Sequence, residues 1–84
     1  LRNTFAGGKK MAAIPLQFAK TGDEVRVIRT SGQEAMKKHL QDLGFVPGAD
    51  IYIVSSHGGD MIIKLKGARL AVTKEMAMKV YISA

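Results

Sequence analysis

The sequence predicts a mainly β domain with short helices: a small barrel of about five short antiparallel strands, one helix of two to three turns and one shorter helix near the C-terminus. Three observations carry this. Short runs of strand-forming residues recur, and most are bounded by a glycine-bearing turn. Met36, Leu40 and Leu43 recur at i, i+4 and i+7, which gives one segment an apolar helical face. The chain has 84 residues and no Cys, so its stability must come from a compact apolar core or a partner.

The elements follow in order. Ile14, Leu16 and Phe18 alternate, which suggests an opening strand or extended segment with one buried face. Pro15 restricts that strand to a sheet edge or a strand start. Thr21-Gly22-Asp23-Glu24 is a turn. Val25 and Val27, with Arg29 as a third position, alternate against Arg26 and Ile28 in a clear strand. Ser31 and Glu34 have capping-box spacing for the helix that follows. Gly44 is the residue type that ends a helix in the left-handed conformation. Phe45 follows as an apolar anchor, and Pro47-Gly48 fits the centre of a type II turn. Asp50 to Ser55 is strand-like with apolar residues on both faces, so a central position is expected.

Gly58-Gly59 marks a hairpin. In its second arm Met61, Ile63 and Leu65 face one way and Lys64 and Lys66 the other. Gly67-Ala68 turns the chain into Arg69-Leu70-Ala71-Val72. Thr73 is placed to cap a brief helix over Lys74 to Lys79, with Met76, Ala77 and Val80 inward. Val80-Tyr81-Ile82 closes the chain as a last strand. The strands after the long helix are expected to form an antiparallel meander.

Composition bounds the function. Cys-free chemistry excludes disulfides, thiolate nucleophiles and Cys-type zinc or iron–sulfur sites. The apolar runs are far shorter than a spanning helix, and no secretory signal pattern is present, so a soluble cytoplasmic protein is expected. Formal net charge is +6, of which Arg2, Lys9 and Lys10 supply three. Residues 1–10 read as a disordered tail or an expression remnant, and residues 11–84 as a single domain. Without that tail the basic excess is a weak argument for an anionic partner.

Three stretches together resemble the FeoA family, small cytosolic proteins of bacterial ferrous-iron uptake. They are Val25-Arg26-Val27-Ile28, the run from His39 through Leu40, Leu43-Gly44-Phe45 and Pro47-Gly48, and Lys66-Gly67-Ala68-Arg69-Leu70-Ala71-Val72 followed by Glu75-Met76-Ala77. No one motif is specific, but their order and spacing cover the chain from about Met11 to Ile82. The resemblance implies an SH3-like barrel. It implies a non-enzymatic accessory role beside FeoB, a membrane transporter with a cytosolic GTP-binding domain. The same barrel is similar to the C-terminal domain of some iron-dependent repressors, whose winged helix this chain lacks. The motif residues are structural types, so no catalytic, cofactor or metal residue is carried over.

Site chemistry can be weighed directly. For a metal, His39 and Asp42 stand at i, i+3, and His57 and Asp60 flank the hairpin turn; ferrous iron accepts imidazole and carboxylate. A His on a polar helix face is more often simply solvated, and an Asp beside a Gly turn more often bonds its own backbone. A metal-responsive regulatory domain is therefore an alternative, not the main expectation. For catalysis there is no nucleophile elbow, no phosphate-cradling loop and no close Ser/His/Asp set. Arg29 and Arg69 border turns and are candidates for an arginine finger offered to a GTPase, against the simpler reading of solvated rim residues.

Single-stranded nucleic acid is the rival partner class, because small barrels bind it with basic grooves and aromatic platforms. Lys37, Lys38, Lys64, Lys66, Arg69, Lys74 and Lys79 supply charge, but aromatics are not interleaved with them. A protein partner is the main expectation, with no nucleic acid, no cofactor, and membrane contact only through the transporter. The nominated surface joins the corner Leu43, Gly44, Phe45, Pro47 and Gly48 to the hairpin tip His57, Gly58, Gly59 and Asp60, with Arg69 nearby. Met78 is a further candidate for an exposed apolar contact, since Met76 and Val80 compete for the inward face. An unsheathed edge strand offers a route to a partner sheet or to self-association.

Overall fold

The computed structural model describes residues 13–83. The expected tail at residues 1–10 lies outside the described residues. Six strands form one sheet: β1 Ala13–Pro15, β2 Glu24–Thr30, β3 Asp50–His57, β4 Asp60–Leu65, β5 Ala68–Val72 and β6 Val80–Ser83. Helix α1 spans Glu34–Leu43 and α2 spans Lys74–Lys79. The strand order is β1-β6-β2-β3-β4-β5, and every pairing is antiparallel. Coiling of this sheet gives an open SH3-like barrel. The five expected strands are β2 to β6, and the opening stretch adds the sixth.

β1 lies at the sheet margin, where Pro15 loses no ladder bond that the fold needs. The alternation stops there. Leu16–Phe18 forms one 3-10 turn, closed by the Ala19 N–H on the Leu16 carbonyl at 2.9 Å. Leu16 and Ala19 are buried, three positions apart as that turn dictates. Phe18, expected on the buried face, is instead 63% exposed.

β2 buries Val27, then bulges between Val27 and Arg29 against β6. Ile28 keeps its outward place in the alternation and the extra residue turns Arg29 outward as well, so Arg29 does not continue the inward set. The start of α1 also differs from the capping-box expectation. Gln33 occupies the N-cap without a side-chain bond, and Ser31 sits too early to reach the helix. Ser31 joins α2 instead: its N–H and its hydroxyl both donate to the Lys79 carbonyl, at 2.8 and 3.3 Å.

The end of α1 follows the expectation closely. Gly44 has φ 109°, its N–H donates to the Gln41 carbonyl, and the Phe45 N–H donates to the Leu40 carbonyl at 3.0 Å. This is a Schellman cap. Val46 to Ala49 then forms the type II turn, with the Ala49 N–H on the Val46 carbonyl at 3.0 Å and Gly48 at φ 90°. The Gly48 N–H donates to the Val27 carbonyl at 2.8 Å, which stitches the turn to β2.

β3, β4 and β5 form the meander. Gly58-Gly59 makes its first turn. The second turn is centred on Lys66-Gly67, one residue earlier than the sequence suggested, and Ala68 already belongs to β5. β3 is central, between β2 and β4, but only its Ile51 and Ile53 face is buried; Tyr52 is 40% exposed. The core gathers Leu16, Val27, Leu40, Phe45, Ile51, Ile53, Ile63, Val72, Val80 and Ile82. Ala77 of α2 joins it, and α2 packs on the 3-10 turn and β4. Among the described residues no polar or charged side chain is buried.

Candidate interaction surface

The nominated surface divides into two. The corner stands at the Asp50 end of β3 and the hairpin tip at its His57 end. At about 3.3 Å per residue, an eight-residue strand separates them by roughly 23 Å. Within the corner Phe45 is fully buried, Leu43 and Gly44 are partly buried, and only Pro47 and Gly48 are open to solvent. Phe45 is thus a core residue. The corner's neighbour is the β4–β5 turn: a Cβ on Gly44 would stand 3.0 Å from Leu65 Cδ2. Arg69 is exposed on β5, opposite Lys64, and belongs with this end of the barrel.

At the other end His57 pairs with Asp60 across the hairpin, and both are exposed with Gly58. Asp60 does not bond its own turn. Its Oδ1 accepts the Lys74 N–H at 2.8 Å, while Gly59 lies under the Lys74 side chain. His39 and Asp42 are exposed on α1, and His39 borders a groove of about 530 Å³ between the helices that Met36, Glu75 and Lys79 also line. The two candidate metal pairs therefore stand on separate elements. Among the described residues no group of three His, Asp or Glu side chains converges. Arg29 stacks on the Tyr81 ring at 4.2 Å, a cation–π contact that occupies its face. Met78 is exposed, as its competition with Met76 and Val80 suggested.

Sequence reasoning missed the outer face of the sheet. Register places Glu24 opposite Tyr52, Tyr52 opposite Lys64 and Lys64 opposite Arg69, so four strands contribute one transverse row. Arg26 is opposite Asp50 in the neighbouring row, and Arg26 Nε donates to Asp50 Oδ1 at 3.0 Å. Ile28 takes the outward position after Val27 on β2, beside them, and is 39% exposed. Glu24, Arg26, Ile28, Asp50, Tyr52 and Lys64 floor and rim a shallow concavity of about 700 Å³, and Arg69 lies beyond it in the Lys64 row. The outward half of each alternating pattern carried the signal. What hid it was Tyr52, which reads as apolar filler in a strand taken to be covered on both sides.

The six-stranded antiparallel sheet, its two short helices and an apolar interior with every ionisable group of the described residues outside it make a small SH3-like barrel. Residues 14–84 match the model of the FeoA domain. The chain belongs to the FeoA family. It is 31% identical over 68 residues to "Putative Fe(2+) transport protein A" of Methanocaldococcus jannaschii, an alignment that spans 81% of this chain and 83% of that protein. A crystal structure of the iron uptake regulatory protein FeoA superposes with a TM-score of 0.79 at 32% identity, over 86% of this chain and 97% of that one. The FeoA-like protein of Clostridium acetobutylicum gives 0.76 at 24% identity, over 83% and 84%. A manganese-dependent transcriptional repressor gives 0.80 at 15% identity, over 90% of this chain and 44% of the repressor, a likeness of fold alone. No helix among the described residues is long and apolar enough to cross a membrane.

Proposed function

We propose that this chain is a non-enzymatic cytoplasmic accessory protein of ferrous-iron uptake that acts by contact with an FeoB-like membrane transporter and its GTP-binding domain. One observation carries the reading: the FeoA match spans residues 14–84, essentially the whole barrel with both helices. The relative named for Fe(2+) transport, aligned over most of both chains, points to the same pathway. The apolar interior is consistent with recognition through loops and the outer face rather than with chemistry in a cleft.

The test is a calorimetric titration of the chain into the transporter's GTP-binding domain, in its GDP and GTP-analogue states, paired with phosphate-release kinetics. Binding on the order of micromolar, typical of a small transient interface, is expected, together with a changed release rate. Absence of binding in both nucleotide states, with release unaltered, overturns the proposal. Arg69→Ala separates contact from catalysis in trans. A finger arginine supplies about a thousandfold or more of the rate, so its loss would collapse phosphate release at unchanged affinity.

A further inference from the structure

The outer sheet face suits a particular occupant. Its concavity is floored by two exposed apolar surfaces, Ile28 and the Tyr52 ring, and rimmed by Arg26, Lys64 and Lys66, with Arg69 next in the Lys64 row. Two carboxylates, Glu24 and Asp50, share the face, and Asp50 already holds Arg26. Lys64, Lys66 and Arg69 form no ion pair among the described residues. The unpaired cations thus gather on the β4–β5 side, and the carboxylates on the β2–β3 side.

From this pattern we infer that the face formed by Ile28, Tyr52, Lys64, Lys66 and Arg69 docks an acidic protein segment that carries an apolar side chain. The apolar side chain covers Ile28 and Tyr52, and its carboxylates meet Lys64, Lys66 and Arg69. The chain's own residues 1–12 do not suit the face, since they hold Arg2, Lys9 and Lys10 and no carboxylate. A second copy does not suit it either, because each chain carries a net charge of +6. A nucleic-acid strand would bring phosphates against Glu24 and Asp50, would find Arg26 already engaged, and would leave Ile28 without an apolar partner. The inference rests on the proposed contact with the transporter and names the surface that makes it.

Two charge-reversal pairs test it. Lys64→Glu with Arg69→Glu changes the proposed face, and Lys37→Glu with Lys38→Glu makes the same charge change on α1. Each is titrated, beside the unaltered chain, against the transporter's GTP-binding domain and against a twelve-nucleotide oligo-dT, with amide NMR to map shifts and a thermal melt to confirm folding. The expected result is a loss of about tenfold or more in domain affinity for the β4–β5 pair and less than about twofold for the α1 pair. Shifts should centre on Ile28, Tyr52 and Lys64. Equal losses in both pairs would reduce the effect to net charge and overturn the surface while leaving the transporter contact standing. Oligo-dT bound through Lys64 and Arg69, in place of the domain, would overturn the acidic-protein occupant. No domain binding by the unaltered chain overturns the surface and the accessory reading together.

Discussion

The Asp60 carboxylate accepts the backbone N–H of Lys74 at 2.8 Å, which ties the β3–β4 hairpin to the first turn of α2. In the same turn the Thr73 hydroxyl accepts the Met76 N–H at 3.2 Å. Two of the N–H groups that a helix start leaves unpaired are satisfied this way. A helix of six residues needs such help, because its own propensity is too small to hold it. Asp60→Ala removes both the acceptor and a negative charge at the positive end of the helix, and should cost about 1 kcal/mol. Asp60→Asn keeps an oxygen acceptor and should cost less. Urea midpoints separate the two. Equal losses would assign the effect to charge alone, and unchanged midpoints would remove the link.

Gly44 and Gly48 both sit at positive φ, yet they should respond differently to a methyl group. At Gly44 the backbone strain at φ 109° is joined by a clash, since the new Cβ would lie 3.0 Å from Leu65 Cδ2. At Gly48, φ 90°, nothing lies within 4 Å of the added carbon. Gly44→Ala should therefore cost about 2–3 kcal/mol, and Gly48→Ala about 1 kcal/mol from backbone strain alone. Chemical denaturation of the pair measures the difference. Identical losses would show that Leu65 gives way without cost.

The features legible in the sequence were those set by local rules. The Gly44 cap, the Pro47-Gly48 turn, the Thr73 cap and the alternation of Met61, Ile63 and Leu65 depend on a few consecutive residues, and each is found. The misreadings needed information from elsewhere in the chain. Ser31 looked like a helix cap until Lys79, 48 positions away, took its hydrogen bonds. Phe18 kept its period only while the chain stayed extended, and the 3-10 turn ended that. The corner and the hairpin tip are close in sequence, but an extended strand between them carries them apart. The outer-face row needs the register of four strands, which no single segment encodes.

Lys66 is the non-glycine residue held at positive φ, 55°, among the described residues. With Gly67 at φ 82° it forms the two-residue β4–β5 turn, a geometry that favours Asn-Gly. Lys66→Asn should relieve strain and raise stability by about 0.5–1 kcal/mol. Lys66 also rims the outer-face concavity, so the same change should weaken binding of the transporter's GTP-binding domain. A higher urea midpoint together with a lower affinity is the expected pair of results. A higher midpoint at unchanged affinity would take Lys66 out of the contact.

Leu40 and Leu43 lie on one stripe of α1, but the sheet does not cover them equally. Leu40 is fully buried, and Leu43 only partly so. The Schellman cap explains the asymmetry: the Leu40 carbonyl receives the Phe45 N–H, which draws that turn down onto the core beside the buried Phe45 ring. Leu40→Ala should leave a cavity and cost about 2–5 kcal/mol. Leu43→Ala removes less buried area and should cost about 1–2 kcal/mol. Thermal melts with urea midpoints decide the order. A greater loss at Leu43 would mean that α1 rests on the sheet through its last turn, and that the corner is held by the helix rather than by Phe45.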